Sequence, residues 1–330
     1  MISDQPPMRP PEKRDLPAKP RIVFFGTPAF SVPTLKSLVA SGHHVMGVIT
    51  RPDRPRGRGR KTVSSPVKQT ATELGLRVMQ PEKTSDSSFC TEVGALSPDL
   101  FVVIAFGQIL KKPLLEIPGW GALNIHASLL PKYRGAAPIQ RAILNNETRT
   151  GLTAMQMDEG LDTGPILSRE ELTIRENETA GELHDRLSEL AGRFIITVLE
   201  DWGKGRISVR EQEDSLASYA PKIERHMALI DWSRSTDQIH GQIRALDPWP
   251  GAATTLSGKQ VKVFSSRKVP ENKRIGKPGR VAGITDAAIM VETGNGLIEI
   301  GALQIPGKKR LAAGDFLRGF PVAEGTILGE

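Results

Sequence analysis

The feature that most constrains this chain is the alternation of short apolar runs with helical or turn-rich segments over its first half. Residues 21–25 (RIVFF) form an apolar run after their first residue, and the segment that follows has helical spacing up to Gly42. Further apolar runs occupy residues 45–50, 100–105, 122–126 and 153–157. Repeated alternation of this kind predicts an α/β fold with a doubly wound, mostly parallel sheet.

The second half has a different pattern. Thr179 and Glu182 form a capping box for a long helix running to about Trp202, where two nearby glycines end it. From about residue 261, alternating segments punctuated by glycine (VKVFSS, AAIMVET, GLIEIGAL) predict a smaller all-β antiparallel barrel. A chain of 330 residues also favours two domains. The predicted organisation is a disordered tail over 1–20, an α/β domain over 21–205, a linker over 206–223 and the barrel over 224–330.

Composition excludes several classes of protein. No stretch approaches the roughly 18 consecutive apolar residues of a membrane span. A single cysteine excludes an intramolecular disulfide framework and a cysteine-rich zinc site, and no HExxH pattern occurs, so we expect no metal. The proline-rich first 20 residues lack a signal-peptide core, and a cytoplasmic location is expected. The Gly26-Thr27-Pro28 turn is not a GxGxxG fingerprint, which disfavours a nicotinamide cofactor.

Positive charge is concentrated in one predicted loop. The net charge is +7, and residues 51–68 hold seven basic residues against the single acidic residue Asp53, a local excess of +6. A basic excess confined to one loop points to a polyanionic partner. The alternative is a solvated charged surface, and the residues alone leave it open.

Three polar residues form the candidate site. Asn124 and His126 alternate at the end of one predicted strand and so share a face, while Asp162 lies in a glycine-bracketed loop after another strand. Both loops are expected to open on the same edge of a parallel sheet, where the three side chains converge. Asn124 can donate to an oxyanion, His126 can act as general acid and base, and Asp162 can orient the histidine or accept a proton. From the residues alone, a structural role remains open.

Several long motifs carry a resemblance to a known family. The segments RIVFFGTPAF, RPDRPRGRGRK, VIAFGQIL, ALNIHASLLPKYRGAAPIQRAI and MQMDEGLDTGPIL, in this order, closely resemble the methionyl-tRNA formyltransferases. The match continues through IDWSRSTDQIHGQIRALDPWPGA and GKKRLAAGDFLRG, and covers the chain from about Arg21 onward. Two departures are the tail before Arg21, which has no counterpart, and Ala127, where many relatives have glycine.

The resemblance implies a Rossmann-like catalytic domain, an oligonucleotide-binding (OB-like) barrel, 10-formyltetrahydrofolate as donor and methionyl initiator tRNA as acceptor; we expect a monomer. Formyl transfer to an amine passes through a tetrahedral carbon with an oxyanion and needs proton movement between two nitrogens. The family's catalytic residues fall on Asn124, His126 and Asp162. Its folate-contacting turn falls on Ser128, Leu129, Leu130 and Pro131. Phe106 and Gly107 are expected to wall the pterin pocket, with plain core as the alternative for Phe106. The tRNA contacts are expected at Arg54, Arg56, Arg58, Arg60 and Lys61.

Other functions share part of this pattern. Glycinamide ribonucleotide formyltransferase, formyltetrahydrofolate hydrolase and sugar-nucleotide formyltransferases share the Asn, His and Asp core but explain only the first half of the chain. The arginine loop and the DPWPGA segment favour a tRNA acceptor. A non-catalytic RNA-binding protein is a different class of reading, and the intact set of three polar residues argues against it.

Overall fold

A computed structural model describes residues 16–56, 61–269 and 276–330. The chain forms two compact units. The first comprises the residues up to Arg134 with Gly151–Glu170 and Arg186–Ala217, and the second comprises Gly135–Thr150, Glu171–Asp185 and Ser218–Glu330. Residues 1–15 of the predicted tail lie outside the described residues, whereas Leu16 is buried.

Among the described residues before 174, the chain forms ten strands. They are β1 (Arg21–Gly26), β2 (His44–Ile49), β3 (Arg54–Arg56), β4 (Lys61–Val63), β5 (Val78–Met79), β6 (Leu100–Ile104), β7 (Ala122–His126), β8 (Arg134–Gly135), β9 (Arg149–Gln156) and β10 (Ile166–Thr173). Six helices accompany them: α1 (Val32–Ala40), α2 (Pro66–Glu73), α3 (Ser87–Gly94), α4 (Lys112–Leu115), α5 (Pro138–Leu144) and α6 (Ala180–Gly203).

The main sheet has seven strands in the order β10-β9-β7-β6-β1-β2-β5. From β5 to β7 all neighbours are parallel, which confirms the predicted doubly wound, mostly parallel sheet. Strand β9, however, runs antiparallel to β7, with Thr153 opposite His126 and Gln156 opposite Leu123. The loop after β9 therefore leaves the sheet at the edge where β7 begins. We expected Asp162 to reach the site because the strand before its loop would run parallel to β7. That reason was wrong, since β9 is antiparallel to β7.

The central strands are buried along their whole length. All five residues of β6 are buried, as expected for a strand covered on both faces. Phe25 packs against Phe101 and Phe106, with ring centroids 4.9 and 5.3 Å apart. Truncating a buried phenylalanine costs about 3–5 kcal/mol, so this cluster fixes the strands that carry the candidate site.

Two helix starts follow the signals in the sequence. Before α6, the Thr179 backbone N–H donates to the Glu182 carboxylate at 2.9 Å, and the Glu182 N–H donates back to the Thr179 hydroxyl at 3.2 Å. This reciprocal pair is the predicted capping box. Before α2, the Ser65 hydroxyl accepts from the Lys68 N–H at 3.0 Å. Each cap satisfies backbone donors that a helix leaves unpaired at its first turn.

The carboxyl-terminal part of the chain is dominated by a second sheet. Its elements are β11 (Tyr219–Ala220), α7 (Thr236–Ala245), β12 (Ala253–Leu256), β13 (Lys259–Lys268), β14 (Val281–Ile284), β15 (Ile289–Glu292), β16 (Leu297–Gln304), β17 (Leu311–Ala312) and α8 (Ala313–Gly319). The order is β12-β13-β16-β15-β14, with β17 on β16, and each of these neighbouring pairs is antiparallel. The sheet curls into a half-barrel around buried residues that include Val263, Ile300 and Phe316. Short β11 pairs with β8.

No helix among the described residues is both long and apolar enough to cross a membrane.

Candidate active site

Asn124 and His126 lie at the carboxyl end of β7, two residues apart. Side chains at positions i and i+2 of a strand point to the same face, so both project to one side of the sheet. Asn124 is 8% exposed and His126 is 6% exposed. Both polar groups are therefore held largely away from water, where hydrogen bonds and charges act more strongly than on the surface.

The two ring nitrogens of His126 have different partners. Nε2 lies 2.9 Å from the Tyr133 carbonyl oxygen. Because a carbonyl oxygen only accepts, Nε2 carries the proton and donates it. Nδ1 faces the Asp162 carboxylate, with 3.6 Å between Nδ1 and Oδ2. That distance is longer than a hydrogen bond but suits an ion pair. Nδ1 is thus the nitrogen placed to exchange a proton.

The loop between β9 and β10 brings Asp162 back to His126. Within it, the Asp158 carboxylate accepts from the Gly160 N–H at 2.9 Å and from the Thr163 hydroxyl at 2.8 Å. At Gly164 a side chain would collide with the Gln156 carbonyl, so only glycine fits there. These contacts fold the loop tightly enough to return Asp162 to the carboxyl end of β7.

Three loops at this end of the sheet contain residues in the left-handed backbone region. Ala105 follows β6 with φ 47°, Tyr133 has φ 65° and Asp162 has φ 55°. For residues other than glycine this conformation costs about 1–3 kcal/mol each and persists only where the surroundings enforce it. Such residues cluster at active sites. Two of the three, Tyr133 and Asp162, are the partners of the His126 ring.

The Asn124 side chain is available to a ligand. Among the described residues, no hydrogen bond within the protein uses its amide group. A buried amide with a free N–H donor is what an oxygen gaining negative charge requires. The arrangement therefore offers one donor for an oxyanion beside a histidine–carboxylate pair for proton transfer.

The predicted folate-contacting turn follows directly from β7 and is held by three hydrogen bonds. The Ser128 hydroxyl donates to the Lys132 carbonyl at 2.6 Å. The Thr153 hydroxyl donates to the Ser128 carbonyl at 2.7 Å and accepts from the Leu130 N–H at 3.1 Å. The Leu130 and Pro131 side chains are buried, and Leu129 is only half-buried. Folate contacts in this turn would involve its backbone and Leu129, and they stay a prediction.

Phe106 and Gly107 follow β6. The Phe106 ring is 2% exposed and packs edge-on against Phe25, so it belongs to the core cluster of the sheet. Its carbonyl accepts from the Thr27 hydroxyl at 2.8 Å. Gly107 is exposed with φ 84°, and the Arg51 side chain lies next to it. A role for either residue in the pterin pocket stays a prediction.

The basic loop contains a short hairpin that sequence reasoning did not predict. Strands β3 and β4 pair antiparallel, with Arg54 opposite Val63 and Arg56 opposite Lys61. The Arg54 guanidinium pairs with Glu82 at 2.6 Å, and both groups are exposed. The predicted tRNA contacts Arg58 and Arg60 lie outside the described residues.

Asp53 anchors the base of this hairpin. Its carboxylate accepts from the Lys68 ammonium at 2.6 Å and from the Gln80 amide at 2.8 Å. The hydrogen bond from Lys68, followed by that from Gln80, holds the pKa of Asp53 below its usual value. The hairpin is therefore tied to α2 and to the segment after β5 at its base.

Three residues of the site escaped sequence reasoning: Tyr133, Thr153 and Gln212. Tyr133 acts through its backbone carbonyl, which leaves no trace in the residue type. Thr153 holds the turn from a neighbouring strand. Gln212 lies in the predicted linker and donates to the carbonyls of Asp162 and Gly164 at 2.8 Å each. Within the described ranges, no group of three or more His, Cys, Asp or Glu residues could hold a metal ion.

Family models match most of the chain. Residues 20–199 match the formyl transferase family, and residues 222–321 match the formyl transferase C-terminal domain. These two matches show that the chain belongs to the formyl transferases, with an α/β part that holds Asn124 and His126 at a strand end and Asp162 in a loop, and a curled β part after it.

Relatives with high sequence identity narrow the assignment within the formyl transferases. The methionyl-tRNA formyltransferase of Pelotomaculum thermopropionicum is 48% identical over 310 residues, which is 94% of this chain and 99% of that protein. The corresponding enzyme of Pelobacter propionicus is 47% identical over 308 residues, covering 93% of this chain and 96% of that protein. This chain belongs to the methionyl-tRNA formyltransferase family, as the resemblance of its motifs predicted.

A solved structure shares the fold at much lower identity. HypX from Aquifex aeolicus in complex with tetrahydrofolic acid has a TM-score of 0.62 and 20% identity, over 94% of this chain and 51% of that one. At this level of identity the likeness concerns the fold alone.

Proposed function

We propose that the protein transfers the formyl group of 10-formyltetrahydrofolate to the amino group of methionyl initiator tRNA, giving N-formylmethionyl-tRNA for translation initiation. Family membership over almost the whole chain supports this activity, and the tetrahydrofolic acid complex of the structural neighbour supports a reduced folate as donor. The proposal includes a cytoplasmic enzyme that acts as a monomer without a metal.

Asn124 is proposed to stabilise charge on the formyl oxygen. When the amine attacks the formyl carbon, that oxygen gains negative charge and needs a hydrogen-bond donor. The Asn124 amide, buried and unused within the described protein, is fixed on β7 before the reaction begins. One such donor is worth about 10²- to 10³-fold in turnover in comparable sites.

His126 and Asp162 are proposed to move the proton. The attacking amine must lose a proton and the leaving folate nitrogen must gain one. Because Nε2 is committed to the Tyr133 carbonyl, Nδ1 is the nitrogen that can take and return that proton. The carboxylate 3.6 Å away stabilises the imidazolium or accepts the proton through a bridging molecule.

The basic hairpin is proposed to bind the acceptor end of the tRNA. The loop is rich in arginine, and a guanidinium contacts phosphate oxygens with two parallel hydrogen bonds. Arg54 is already paired with Glu82, and each is about two-thirds exposed, so phosphate can compete for it in water. The glycines of the loop let the backbone approach RNA closely.

The observation that carries the proposal is the meeting of Asn124, His126 and Asp162 at one end of β7 in a chain of this family. The test is to incubate purified protein with 10-formyltetrahydrofolate and methionyl-tRNA and to measure formylmethionyl-tRNA. We expect donor consumption that depends on methionyl-tRNA and is absent with uncharged tRNA. Equal consumption without an acceptor would indicate a hydrolase, and transfer only to an amino sugar or a ribonucleotide amine would identify another formyltransferase.

A further inference from the structure

The segment after α6 is part of the candidate site. Residues 206–217, most of the predicted linker, belong to the first compact unit. Arg210 and Ile166 exchange two backbone hydrogen bonds, of 2.7 and 2.9 Å. Ile166 is the first residue of β10 and follows the Asp162 loop directly, so these bonds bring the segment alongside that loop.

Gln212 holds the Asp162 loop by its backbone. Its Nε2 donates to the carbonyl oxygens of Asp162 and Gly164, both at 2.8 Å. An amide nitrogen has two N–H donors, and its two short bonds here both go to this loop; the Met155 sulfur lies farther away, at 3.9 Å. Since Asp162 has a left-handed backbone, the bond to its own carbonyl helps to keep that conformation and thereby the direction of the carboxylate.

Arg134 fixes the orientation of the Gln212 amide. The Gln212 Oε1 accepts from Arg134 Nε at 3.1 Å and from Nη2 at 2.9 Å, and the same Nη2 donates to the Asp214 carboxylate at 2.8 Å. A guanidinium only donates, so the amide oxygen must face Arg134 and the amide nitrogen must face the loop. The Arg134 side chain is 3% exposed, whereas that of Asp214 is 85% exposed.

These contacts close a ring around the imidazole of His126. Nε2 of His126 donates to Tyr133, and the next residue is Arg134. Arg134 binds Gln212, Gln212 binds the backbone of Asp162, and the Asp162 carboxylate faces Nδ1 of His126. The two partners of the His126 imidazole, the Tyr133 carbonyl and the Asp162 carboxylate, are thus held by one network of contacts.

We infer that Gln212, oriented by Arg134, is a positioning residue for formyl transfer that sets the distance between the Asp162 carboxylate and Nδ1 of His126. It acts through Asp162. The inference rests on the proposed function, in which this pair moves the proton.

The most selective variant is Gln212→Glu. A glutamate keeps the acceptor oxygen for Arg134 but replaces both donors with an oxygen that repels the two loop carbonyls. We expect kcat for tRNA formylation to fall about 10- to 100-fold, the range for misplacing a reacting group by about an ångström. The KM for methionyl-tRNA and the melting temperature should change little. Glu211→Gln, the reverse change at the exposed neighbouring position, is the matched control and should behave as wild type.

A double-variant cycle separates positioning from general support of the fold. In an Asp162→Asn background, Gln212→Glu should lower kcat by less than about twofold, because residues that act through one another are not additive. Hydrogen exchange gives a readout without activity: amides of residues 160–164 should exchange faster in Gln212→Glu, and those of β6 should not. Arg134→Lys, which keeps the charge but loses the two-pronged contact, should show the same non-additivity with a smaller fall in kcat.

Wild-type kcat in Gln212→Glu, or a full additional loss in the Asp162→Asn background, would overturn the inference. If Gln212→Glu does not fold, the Arg134→Lys cycle decides by the same criterion. A wild-type protein that does not formylate methionyl-tRNA would instead overturn the proposed function, and the exchange of residues 160–164 would still decide whether Gln212 holds the loop.

Discussion

The carboxyl end of β7 and the β3–β4 hairpin differ most in burial. Asn124 and His126 are under 10% exposed, and His126 donates to the Tyr133 carbonyl, whereas the Arg54 side chain is 63% exposed on a strand of three residues. Stabilising charge in a transition state requires groups fixed in advance and shielded from water. Binding phosphate requires accessible cations that displace counterions. The buried end of β7 suits the first task and the exposed hairpin suits the second. Substitutions at the β7 end should therefore lower kcat, whereas substitutions of the loop arginines should change the salt dependence of kcat/KM for tRNA.

The largest expected effect is on turnover. Replacing His126 with alanine removes the proposed acid and base, and we expect kcat to fall about 10²- to 10⁴-fold. Folate binding and the melting temperature should change little by comparison. His226→Ala is the matched control, because its side chain is 76% exposed and contacts Glu224. Near-normal turnover in a folded His126→Ala variant would show that His126 at the carboxyl end of β7 is not the catalytic acid and base.

A second buried histidine should lower the stability of the whole protein at acid pH, which complicates the comparison of the β7 end with the hairpin there. His240, in the second unit, contacts the Ser266 hydroxyl at 2.9 Å and the Glu176 carbonyl at 3.1 Å. Burial, and then the nearby charge of Arg244, lowers its pKa to about 4. Between about pH 6.5 and 4 the unfolded chain therefore binds a proton that the folded chain does not.

The free energy of unfolding should consequently fall by about 3 kcal/mol from this group alone as the pH drops from 7 to 4. Urea unfolding at several pH values measures it, and His240→Gln should make the dependence shallower over that window. An unchanged pH dependence in a folded His240→Gln variant would show that His240 is not the source of the stability lost at acid pH.

Substitutions in the basic loop should change the salt dependence of tRNA use. Replacing Arg56, Arg58 and Arg60 with alanine removes up to three phosphate contacts. The slope of log(kcat/KM) for tRNA against log salt should flatten by about 2 to 3, since each contact contributes about 0.7–0.9. Folate binding should stay unchanged. The charge-matched control replaces Arg193, Lys204 and Arg206, all exposed on or after α6. Equal slopes in both triple variants would make the hairpin an ordinary solvated surface.

The smallest effect should come from the hairpin's anchor. Asp53→Asn loses its charge interaction with Lys68, and because such pairs near the surface contribute little, we expect a loss of stability below about 1 kcal/mol. The lowered pKa of Asp53 means that its contribution is present at neutral pH and disappears as the pH falls through that lowered value. Thermal unfolding at pH 7 and pH 3 checks the sign. Glu73→Gln, an exposed position on α2, is the control.

Much of the first sheet could be predicted because its signals are local. Buried strands such as β1 and β6 are apolar runs, and the capping box before α6 is a four-residue pattern. The direction of β9 could not be predicted. An apolar run has the same sequence pattern whether the strand it forms is parallel or antiparallel to its neighbour. The pairing of β3 with β4 was hidden for a similar reason: residues 51–61 read as a charged loop.

The candidate site likewise has a part that the sequence predicts and a part that it does not. Asn124, His126 and Asp162 were predicted from residue type and from motif, and their roles stay a prediction. The contacts that hold them were not, because the Tyr133 carbonyl is present at any residue and Gln212 is separated from Asp162 by 50 positions. Polar residues in a presumed linker carry no local sign that they reach an active site.

The most direct test of the central claim is a single-turnover formylation assay of two variants at increasing enzyme concentration. Asn124→Ala should be slow by about 10²- to 10³-fold even when all methionyl-tRNA is bound, because it lacks a donor needed only in the transition state. The triple arginine variant should be slow at low enzyme concentration and approach the wild-type rate at saturation. If both variants remained equally slow at saturation, the division between a catalytic β7 end and a tRNA-binding hairpin would be contradicted.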